Sequence, residues 1–509
     1  MGSDLESSTE NVENSGAERA ANDDKTPLVV DLDGTLIDSD ILVESAFALL
    51  GKSPLSIFAL IFVLLTQGKA ALKSYIADRS EIDVSVLPYN QAVLSLLQQA
   101  HADDRPLYLA SASHKKYVKA VAEHLDIFAD WFATGSDTNL SGDAKRDLLM
   151  EQCGEAGFDY IGNASADLSI WAVAQQCICV NASSSVKARL KTLSPTASYI
   201  ETKPPRLRTW IKLLRIHQWA KNCLVFVPLV TSQAIYSSSV LYSIGAFFTF
   251  SLTASSIYII NDAIDLDADR KHPSKKGRPL AAGTISVFSA MLAVPALLSI
   301  ALIGAWFINP IYFAVLLGYL SLTTAYTFSL KRKLLVDVVA LASLYTIRVI
   351  GGAAAISVMV SEWLLAFSVF LFTSLALIKR YTELVLLFHE DLPDPTNRNY
   401  RKADLPIIAA LAAAAGFNAV TVFALYVSDQ DVQALYARPQ LLWLICPMLL
   451  YWLGRALMLA HRRSMNDDPI VFALKDRNSR VTVFAAGIVM LLAMFELQIP
   501  GFQAGAASQ

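Results

Sequence analysis

The chain has 509 residues, of which 54% are hydrophobic, and its formal net charge is −3 at pH 7. This length favours more than one domain, and the slight excess of acid gives no basis for nucleic-acid binding. The five cysteines include no CxxC pair, so buried, unreactive thiols in a reducing compartment are expected rather than a disulfide framework.

Both ends of the chain are predicted to be tails. Residues 1–26 are polar and acidic, a composition that cannot bury enough apolar surface to fold. They lack the basic start and apolar core of a secretory signal. We therefore expect a disordered N-terminal tail over 1–26 and a short C-terminal tail over 501–509.

Residues 27–185 have the pattern of a soluble α/β domain. The β-rich runs PLVVDLD, RPLYLASAS, FDYIGNAS and QCICVNAS alternate with polar helical segments such as HKKYVKAVAEHL. Strands that alternate with helices predict a doubly wound, Rossmann-type parallel sheet. A Ser-, Thr- and Pro-rich stretch, residues 186–206, is predicted to be a linker.

A small hydrophobic cap is predicted over about residues 40–90. Its apolar run, Leu55 to Leu65, is too short to span a bilayer. Lys52, Lys69 and Lys73 flank this run. We expect it to lie on the membrane surface, and the alternative is the core of a cap helix.

Residues 207–500 are predicted to form an all-α polytopic membrane domain of about nine transmembrane helices. Apolar runs of about 20 residues, enough to cross a bilayer, recur near 215–233, 239–260, 286–305, 309–328, 334–356, 363–386, 405–427, 440–460 and 481–500. The loops after every second run are rich in Lys and Arg, whereas the others hold almost none, Arg438 excepted. The positive-inside rule therefore predicts a multi-pass plasma-membrane protein with the N-terminal domain and active sites cytosolic and the C-terminus outside.

Charges of both signs crowd the end of one apolar run, in IYIINDAIDLDADRKHPSKKGRPLAAG (257–283). Asn261, Asp265 and Asp269 share one helix face, where like charges repel, and unpaired carboxylates are costly at a membrane boundary. Mg²⁺ would neutralise them, because it binds between carboxylates and substrate phosphates. The bases that follow would hold the phosphates. A solvated loop that only sets membrane topology is the alternative.

The segment NDAIDLDADR resembles the NDxxDxxxD motif of the UbiA-type prenyltransferase superfamily, and the resemblance covers about 207–500. It implies that Asn261, Asp262, Asp265 and Asp269 bind Mg²⁺ and a diphosphate, with Asp262 and Asp265 catalytic. RIHQWAKN, HPSKKGRPLAAG, SLKRKLLVDVV and LIKRYTEL look like the decaprenyl- or polyprenyl-phosphate phosphoribosyltransferase branch. A second DxxxD motif, usual in prenyltransferases with aromatic acceptors, is missing from KRYTELVLLFHEDLPDPTNRNYRKAD.

The implied reaction transfers 5-phosphoribosyl from phosphoribosyl diphosphate to a polyprenyl phosphate and releases diphosphate. The side chains expected to bind phosphate are Lys221, Asn222, Arg270, Lys275, Arg278, Arg348, Lys379 and Arg380. For Arg348 the alternative is structural pairing with an acid, and for Lys379 and Arg380 it is anchoring at the membrane surface. The alternative function is an aromatic- or quinone-type prenyltransferase whose N-terminal domain is regulatory or acts on another phosphate ester.

Polar residues at several predicted strand ends should meet in one crevice of the N-terminal sheet. A carboxylate there can attack phosphorus. VVDLDGTL resembles the DxDGT signature of the haloacid dehalogenase-like superfamily, and LYLASAS, SGDAKRDLL and YIGNASAD follow in the family's order.

That resemblance assigns roles to individual residues. It implies Asp31 as nucleophile, Asp33 as general acid and base, and Ser111 and Lys145 as phosphoryl ligands. Mg²⁺ would bind Asp31, the Asp33 carbonyl and Asp167. Asn163 stands where the family more often has Asp, and an amide is a weaker metal ligand, so a degenerate docking domain is the alternative.

Together the two resemblances imply consecutive steps on one membrane lipid. The phosphatase would remove the 5-phosphate and leave polyprenyl-phosphoryl ribose, a donor of ribose or arabinose for cell-envelope glycans. Fusion would raise the effective concentration of the second enzyme near its substrate. The expected partners are the bilayer, polyprenyl phosphate and phosphoribosyl diphosphate, and a homo-oligomer is compatible with the sequence.

Overall fold

The computed structural model of the chain describes residues 26–135, 140–202, 206–272, 275–390, 393–394, 398–465 and 468–494. The predicted tails lie outside these residues, apart from Thr26. The chain divides into two compact units. The first contains the residues up to Leu214 together with Tyr258–Val294, and the second contains Arg215–Ile257 and the chain from Pro295 onward. The acidic segment thus belongs to the same unit as the N-terminal domain, whereas the sequence pattern placed a single boundary near 207.

A six-stranded parallel sheet organises the first unit. Its strands are β1 (Leu28–Val30), β2 (Leu107–His114), β3 (Asp130–Thr134), β4 (Asp159–Gly162), β5 (Cys177–Val180) and β6 (Ser198–Ile200). They lie in the order β3-β2-β1-β4-β5-β6, and every pair is parallel. The order reverses between β1 and β4, which is where open α/β sheets bind ligands.

Helices pack on both faces of this sheet. The helices of this part of the chain are α1 (Ile41–Lys52), α2 (Ser56–Arg79), α3 (Gln91–Ala102), α4 (Lys115–Leu125), α5 (Asp143–Cys153), α6 (Leu168–Trp171), α7 (Ser184–Leu193) and α8 (Arg206–Leu213). Successive strand residues point to opposite faces, so Val30 packs in one core with α3 and α4, and Val29 packs in the other with α5, α6 and α7. The predicted doubly wound α/β fold is confirmed.

Residues 186–206, predicted to be a linker, include most of α7 and the whole of β6. The Ser183 side chain accepts a hydrogen bond from the Val186 amide and so caps α7. Val186 and Leu190 then bury their side chains against the sheet. Two buried residues in a polar stretch are enough to fix this helix, and they gave too weak a pattern to detect.

Helix α2 is longer than the apolar run that predicted it. It continues to Arg79, although Gly68 interrupts it with φ 82° and ψ −175°. The apolar first half leaves Phe58, Phe62 and Leu65 exposed. By length and composition the whole helix is able to cross a membrane, so the expectation that this region is too short applies only to its first half.

Long apolar helices dominate the rest of the chain. They and their shorter neighbours are α9 (Val227–Thr231), α10 (Ser237–Ile264), α11 (Leu266–Lys271), α12 (Val287–Ile308), α13 (Pro310–Phe328), α14 (Val336–Ala355), α15 (Glu362–His389), α16 (Leu405–Ser428), α17 (Gln430–Leu435), α18 (Ile445–His461), α19 (Pro469–Lys475) and α20 (Arg477–Met494). Within the described ranges nine helices are long and apolar enough to cross a bilayer, α2 among them. The chain is therefore an integral membrane protein.

The first predicted span, 215–233, does not form one long helix. It is a 3-10 helix, Ile216–Phe226, followed by the short α9. Lys221 and Asn222 in this segment are buried and make polar contacts inside the second unit. The segment therefore positions these two side chains instead of forming a continuous apolar surface. Of the last predicted span, 481–500, the structure describes the part up to Met494.

The core of the second unit lies between α14, α15, α16 and α18. Its buried side chains include Tyr345, Phe372, Ile408 and Leu453. Tyr345 and Phe372 rings lie 5.3 Å apart between centroids. Protein interiors are close-packed and allow little rearrangement. This core therefore holds the polar side chains of α14 and α15 in fixed positions.

Candidate active sites

Asp31 and Lys145 form a buried ion pair at the carboxyl edge of the sheet. Asp31 follows β1, and Lys145 lies in the first turn of α5. Lys145 Nζ donates to Asp31 Oδ1 at 2.7 Å and to the Ala110 carbonyl at 3.2 Å. Burial raises the pKa of Asp31 to about 7, although Lys145 opposes the rise. The structure thus brings together the predicted nucleophile and one predicted phosphoryl ligand.

Asp33 lies at the same edge and is held by three donors. The hydroxyls of Ser111 and Ser113 donate to Oδ2 at 3.2 and 2.6 Å. The amide of Ile41, the first residue of α1, donates to Oδ1 at 2.8 Å. Burial raises the pKa of Asp33 to about 6, and the nearby Asp40 carboxylate adds to the rise. A carboxyl group that titrates near neutral pH suits general acid–base catalysis.

The predicted Mg²⁺ ligands of this domain follow strands β1 and β4. Asp167 accepts a hydrogen bond from the Tyr160 hydroxyl at 2.8 Å and bonds from the amides of Asn163 and Ala164 at 2.9 and 2.8 Å. Burial, opposed by Lys145, and the Asp167 carboxylate raise the pKa of Asp31, so the two carboxylates act on each other. The predicted set consists of these two carboxylates and the Asp33 carbonyl, and the Mg²⁺ role of Asp31, Asp33 and Asp167 stays a prediction.

The acidic segment keeps its predicted spacing but bends in the middle. Helix α10 ends at Ile264, and Asp265 is the N-cap residue of α11, which begins at Leu266. Asp265 N donates to the Asn261 carbonyl at 3.0 Å, and Asp269 N donates to the Asp265 carbonyl at 2.8 Å. The Asn261 side chain also donates to Asp265 Oδ2 at 3.0 Å. All four predicted metal ligands remain on consecutive turns.

Two of these carboxylates converge on one cationic atom. Arg278 Nη1 lies 3.1 Å from Asp262 Oδ1 and also donates to Asp269 Oδ2. Both aspartates are buried, with 2% and 3% exposure. Mg²⁺ is typically bound by one or two carboxylates and substrate phosphates, so this pair of acids fits that ion. Arg278 occupies the position between them, and Lys275 lies half-buried in the turn just before it.

Arg270, predicted to bind phosphate, instead forms a buried ion pair with Glu44. Its Nε also donates to the Ala281 carbonyl at 3.0 Å. All three guanidinium nitrogens are engaged inside the protein, so Arg270 is corrected to a structural partner of Glu44. The sequence held no local signal for this pair, since Glu44 lies 226 residues away.

Asp468 gathers two predicted phosphate ligands in the second unit. Lys221 Nζ and Lys379 Nζ donate to its Oδ2 at 2.9 and 3.0 Å, and the Tyr345 hydroxyl donates to the same carboxylate at 3.1 Å. Burial alone would raise the pKa of Asp468, but the two ammonium groups hold it well below its usual range. No role was assigned to Asp468 from the sequence, although it stands in DDPIVFALKD, directly before the proline that begins α19.

Arg348 and Asn222, both predicted ligands, contact each other. Arg348 Nε donates to Asn222 Oδ1 at 2.7 Å and Nη2 donates to the Tyr319 hydroxyl at 3.0 Å. Asn222 in turn donates to Ser251 Oγ at 2.9 Å. Arg348 is thus held by neutral groups in these contacts. The alternative that the sequence offered for Arg348 was structural pairing with an acid.

Arg380 pairs with acids. Its Nε donates to Asp337 Oδ2 at 2.6 Å, and Nη2 donates to the Tyr326 hydroxyl at 2.9 Å. Glu383 accepts from Nη1 at 2.6 Å. With 1% exposure and three partners, Arg380 is corrected from a phosphate ligand to a structural residue.

The second unit also contains an apolar cavity of about 700 Å³. Among the described residues that line it are Phe367, Phe423, Tyr426, Leu442 and Met490, and no Asp, Glu, Lys or Arg contributes to the lining. Apolar and aromatic linings of this size hold hydrophobic ligands. A hydrocarbon chain suits this cavity better than a sugar phosphate does.

Apolar helices joined to an aspartate-rich segment define the class of polytopic membrane transferases. A sequence model of the UbiA prenyltransferase family matches residues 223–479. The chain belongs to the UbiA prenyltransferase family. Its N-terminal α/β domain carries the segment that resembles DxDGT at the end of β1.

Three known proteins illustrate the likeness. An uncharacterized protein y4nM of Sinorhizobium fredii is 35% identical over 90% of this chain and 89% of its own length. Decaprenyl-phosphate phosphoribosyltransferase of Mycobacterium tuberculosis is 36% identical over 37% of this chain and 64% of its own. A UbiA homolog from Archaeoglobus fulgidus, solved with GPP and Mg²⁺ bound, covers 56% of this chain and 100% of its own with 16% identity and a TM-score of 0.43.

Proposed function

We propose that this chain is a bifunctional membrane enzyme. Its transferase half moves 5-phosphoribosyl from phosphoribosyl diphosphate to a polyprenyl phosphate, with Mg²⁺, and releases diphosphate. Its N-terminal domain then removes the 5-phosphate, so the final product is polyprenyl-phosphoryl ribose, a pentose donor for cell-envelope glycans.

The convergence of Asp262 and Asp269 on Arg278 carries the proposal. Buried carboxylates are tolerated only with a cation beside them. A diphosphate substrate brings Mg²⁺ to such carboxylates and at the same time offers its oxygens to a base such as Arg278. Asn261, Asp262, Asp265 and Asp269 would hold Mg²⁺, which when bound offsets the charge of the leaving diphosphate.

The transfer requires little proton chemistry from the protein. An oxygen of the lipid phosphate, already an anion, attacks the anomeric carbon of the ribose as the bond from that carbon to the diphosphate oxygen breaks. Arg278 and Lys275 would stabilise the charge that develops on the leaving oxygens. Lys221 and Lys379 are proposed to bind phosphate oxygens as well, and Arg348 is proposed to orient Asn222.

The phosphatase step uses the pair described at the sheet edge. Asp31 attacks the 5-phosphate and forms an aspartyl-phosphate. Asp33 donates its proton to the departing sugar hydroxyl, then accepts a proton from the water that hydrolyses the intermediate. Lys145 and Ser111 would hold the phosphoryl oxygens. Each of these roles falls to a side chain that lies at the carboxyl edge of the sheet beside Asp31 or Asp33.

Two further observations support the assignment. The relative from M. tuberculosis is named a decaprenyl-phosphate phosphoribosyltransferase, and no DxxxD pattern follows the sixth predicted span of this chain. The basic loops on alternate sides support the orientation with both active sites cytosolic and the C-terminus outside.

The test is a reconstitution. Purified full-length protein is incubated with polyprenyl phosphate, labelled phosphoribosyl diphosphate and Mg²⁺, and labelled lipid is measured. Asp262→Asn is expected to lower the rate about 100-fold or more, whereas Asp267→Asn on the same segment should stay within about threefold. No labelled lipid from the wild type, or turnover of a prenyl diphosphate with an aromatic acceptor, would overturn the proposal.

A further inference from the structure

Glu44 and Arg270 form a two-bond ion pair inside the first unit. Glu44 lies on α1 and Arg270 lies on α11. Arg270 Nη1 donates to Glu44 Oε2 at 2.8 Å, and Nη2 donates to Oε1. The two side chains are only 3% and 4% exposed.

The pair is closed on both sides. The Ser39 hydroxyl donates to Glu44 Oε1, and the remaining guanidinium nitrogen, Arg270 Nε, is bound by the Ala281 carbonyl. A buried pair of this kind is sensitive to the loss of either partner, because the other charge is then left uncompensated away from water. The geometry of α11 thus depends on a residue of the N-terminal domain.

The pair joins the two segments that carry the chemistry. Glu44 lies in the first turns of α1, whose first amide, Ile41 N, is bound by Asp33. Arg270 directly follows Asp269, one of the two carboxylates on Arg278. A short series of contacts therefore connects the DxDGT segment with the acidic segment: Asp33 binds the start of α1, and Glu44 on α1 binds Arg270.

A second contact joins the same segments. Gly283 has φ +66°, and a Cβ at this position would lie 2.6 Å from the Asp38 carbonyl oxygen. Leu280 and Ala281, between Arg278 and Gly283, are buried. The loop that carries Arg278 is therefore packed against the turn that precedes α1.

We propose that Glu44 is a positioning residue for the transferase motif. Through Arg270 it holds α11 so that Asp262, Asp269 and Arg278 keep the arrangement that accepts a divalent cation. The N-terminal domain is then a structural component of the transferase site as well as a phosphatase. This inference rests on the proposed function, in which those carboxylates bind Mg²⁺.

The structure offers a matched control for the ion pair. Lys271, next to Arg270, pairs with Asp83 at 2.7 Å, but these side chains are 56% and 37% exposed. This pair joins the same two parts of the unit at the surface, where ion pairs contribute little. Asp83→Asn therefore removes a charge of the same kind without burial.

The test measures Mn²⁺ binding to the full chain in detergent by electron paramagnetic resonance, in an Asp31→Asn background so that the N-terminal site contributes least. Glu44→Gln is expected to weaken Mn²⁺ binding about tenfold or more, as loss of a second-sphere partner does. Glu44→Gln with Arg270→Gln lacks the pair but leaves neither partner's charge uncompensated, so it should bind Mn²⁺ as weakly as Glu44→Gln. Recovery of wild-type affinity would assign the loss to the uncompensated Arg270 charge and overturn the positioning role. Asp83→Asn should stay within about threefold.

The outcomes are separate from those of the activity assay. Wild-type affinity in Glu44→Gln, or a lower melting temperature without weaker Mn²⁺ binding, would overturn the positioning role. If Glu44→Gln does not fold, Gly283→Ala keeps every charge and strains only the loop contact, and it should weaken Mn²⁺ binding in the same way. The expected Mn²⁺ pattern without any labelled lipid would reject the proposed transferase reaction and keep the positioning role.

Discussion

Asp468 shows how individual residues balance charge in this chain. It is buried, and two lysines and a tyrosine direct their donors at it. Three other buried cations have an acid at bonding distance: Lys145 with Asp31, Arg270 with Glu44 and Arg380 with Asp337. Arg348 differs, because Asn222 and Tyr319 hold it. Removal of one partner leaves the other charge buried and uncompensated, which strongly destabilises the folded protein.

Replacement of Asp468 should destabilise the second unit. Asp468→Asn keeps the size of the side chain but leaves Lys221 and Lys379 without their shared counter-charge. We expect a loss of about 3 kcal/mol in the free energy of unfolding, measured by denaturant or thermal unfolding in detergent. The exposed Glu390→Gln should change it by no more than about 0.5 kcal/mol. Equal stability of the two variants would contradict the central role of Asp468.

Lys145 should set the ionisation of Asp31, the proposed nucleophile of the N-terminal domain. Burial raises the pKa of Asp31 to about 7, and the Lys145 ammonium opposes that rise. In Lys145→Met the pKa of Asp31 rises further, so less of the reactive carboxylate is present at pH 7. Phosphate release should fall about tenfold or more and recover partly as the pH is raised toward about 8.5, while exposed Lys119→Met keeps the wild-type profile. A loss with an unchanged pH profile would assign Lys145 to phosphate binding alone.

The sequence identified the acids of both motifs but not their partners. Asp31, Asp33, Asp262 and Asp269 stand in recognisable short patterns. Lys145 and Arg278 were predicted as phosphate ligands, but their ion pairs with Asp31 and Asp262, 114 and 16 residues away, were not. A one-sequence pattern holds no distance information. For this reason Arg270 was assigned to phosphate, although its charge is used by Glu44.

At the scale of elements, regular patterns were predicted well and irregular ones were not. Strands and long apolar helices follow from periodicity and length, and the predicted spans from 239–260 onward correspond to long helices in the described chain. The predicted span 215–233 is not one long helix, because its Lys221 and Asn222 are buried in a 3-10 helix. Helix α2 is longer than the apolar run that predicted it, because a polar second half follows Gly68.

The apolar half of α2 should determine which substrates the phosphatase reaches. Phe58, Phe62 and Leu65 are 69%, 63% and 79% exposed, and contact with lipid is the environment in which such a surface is stable. Replacement of all three by Ser should lower phosphate release from a lipid-linked substrate about tenfold and leave hydrolysis of a water-soluble phosphate ester unchanged. Replacement of both phenylalanines by Leu should preserve both rates. An equal loss on the two substrates would show that the segment supports only the fold.

The division of the whole molecule does not follow the order of the sequence. The first unit combines the N-terminal domain with Tyr258–Val294, so the acidic segment of the transferase packs with the N-terminal domain. A boundary read from composition alone falls near 207, because composition reports hydropathy and not which segments pack together. The N-terminal domain and the transferase are thus not joined by a linker alone, because they share the first unit.

Chelation should stop both proposed activities of the whole molecule. Asp262 and Asp269 form a buried carboxylate pair suited to Mg²⁺, and Asp31 and Asp167 are the predicted Mg²⁺ ligands of the N-terminal domain. Excess chelator should therefore abolish both the formation of labelled lipid and the hydrolysis of a preformed 5-phosphorylated lipid, and restored Mg²⁺ should recover both. Hydrolysis that persists under the same conditions would contradict the Mg²⁺ role of Asp31 and Asp167.

Blocking the second step should expose the product of the first. Asp31→Asn removes the attacking oxygen, so no aspartyl-phosphate forms, while Asp31 lies apart in sequence from the transferase motif. The variant should convert labelled phosphoribosyl diphosphate to a lipid that retains the 5-phosphate, and the wild type should yield the dephosphorylated lipid. Mass spectrometry distinguishes the two by one phosphate group, and Asp126→Asn, far in sequence from either motif, serves as the control with a wild-type product. If Asp31→Asn still released the 5-phosphate, the hydrolase would lie elsewhere, and the fusion would instead serve to hold the acidic segment in place through Glu44.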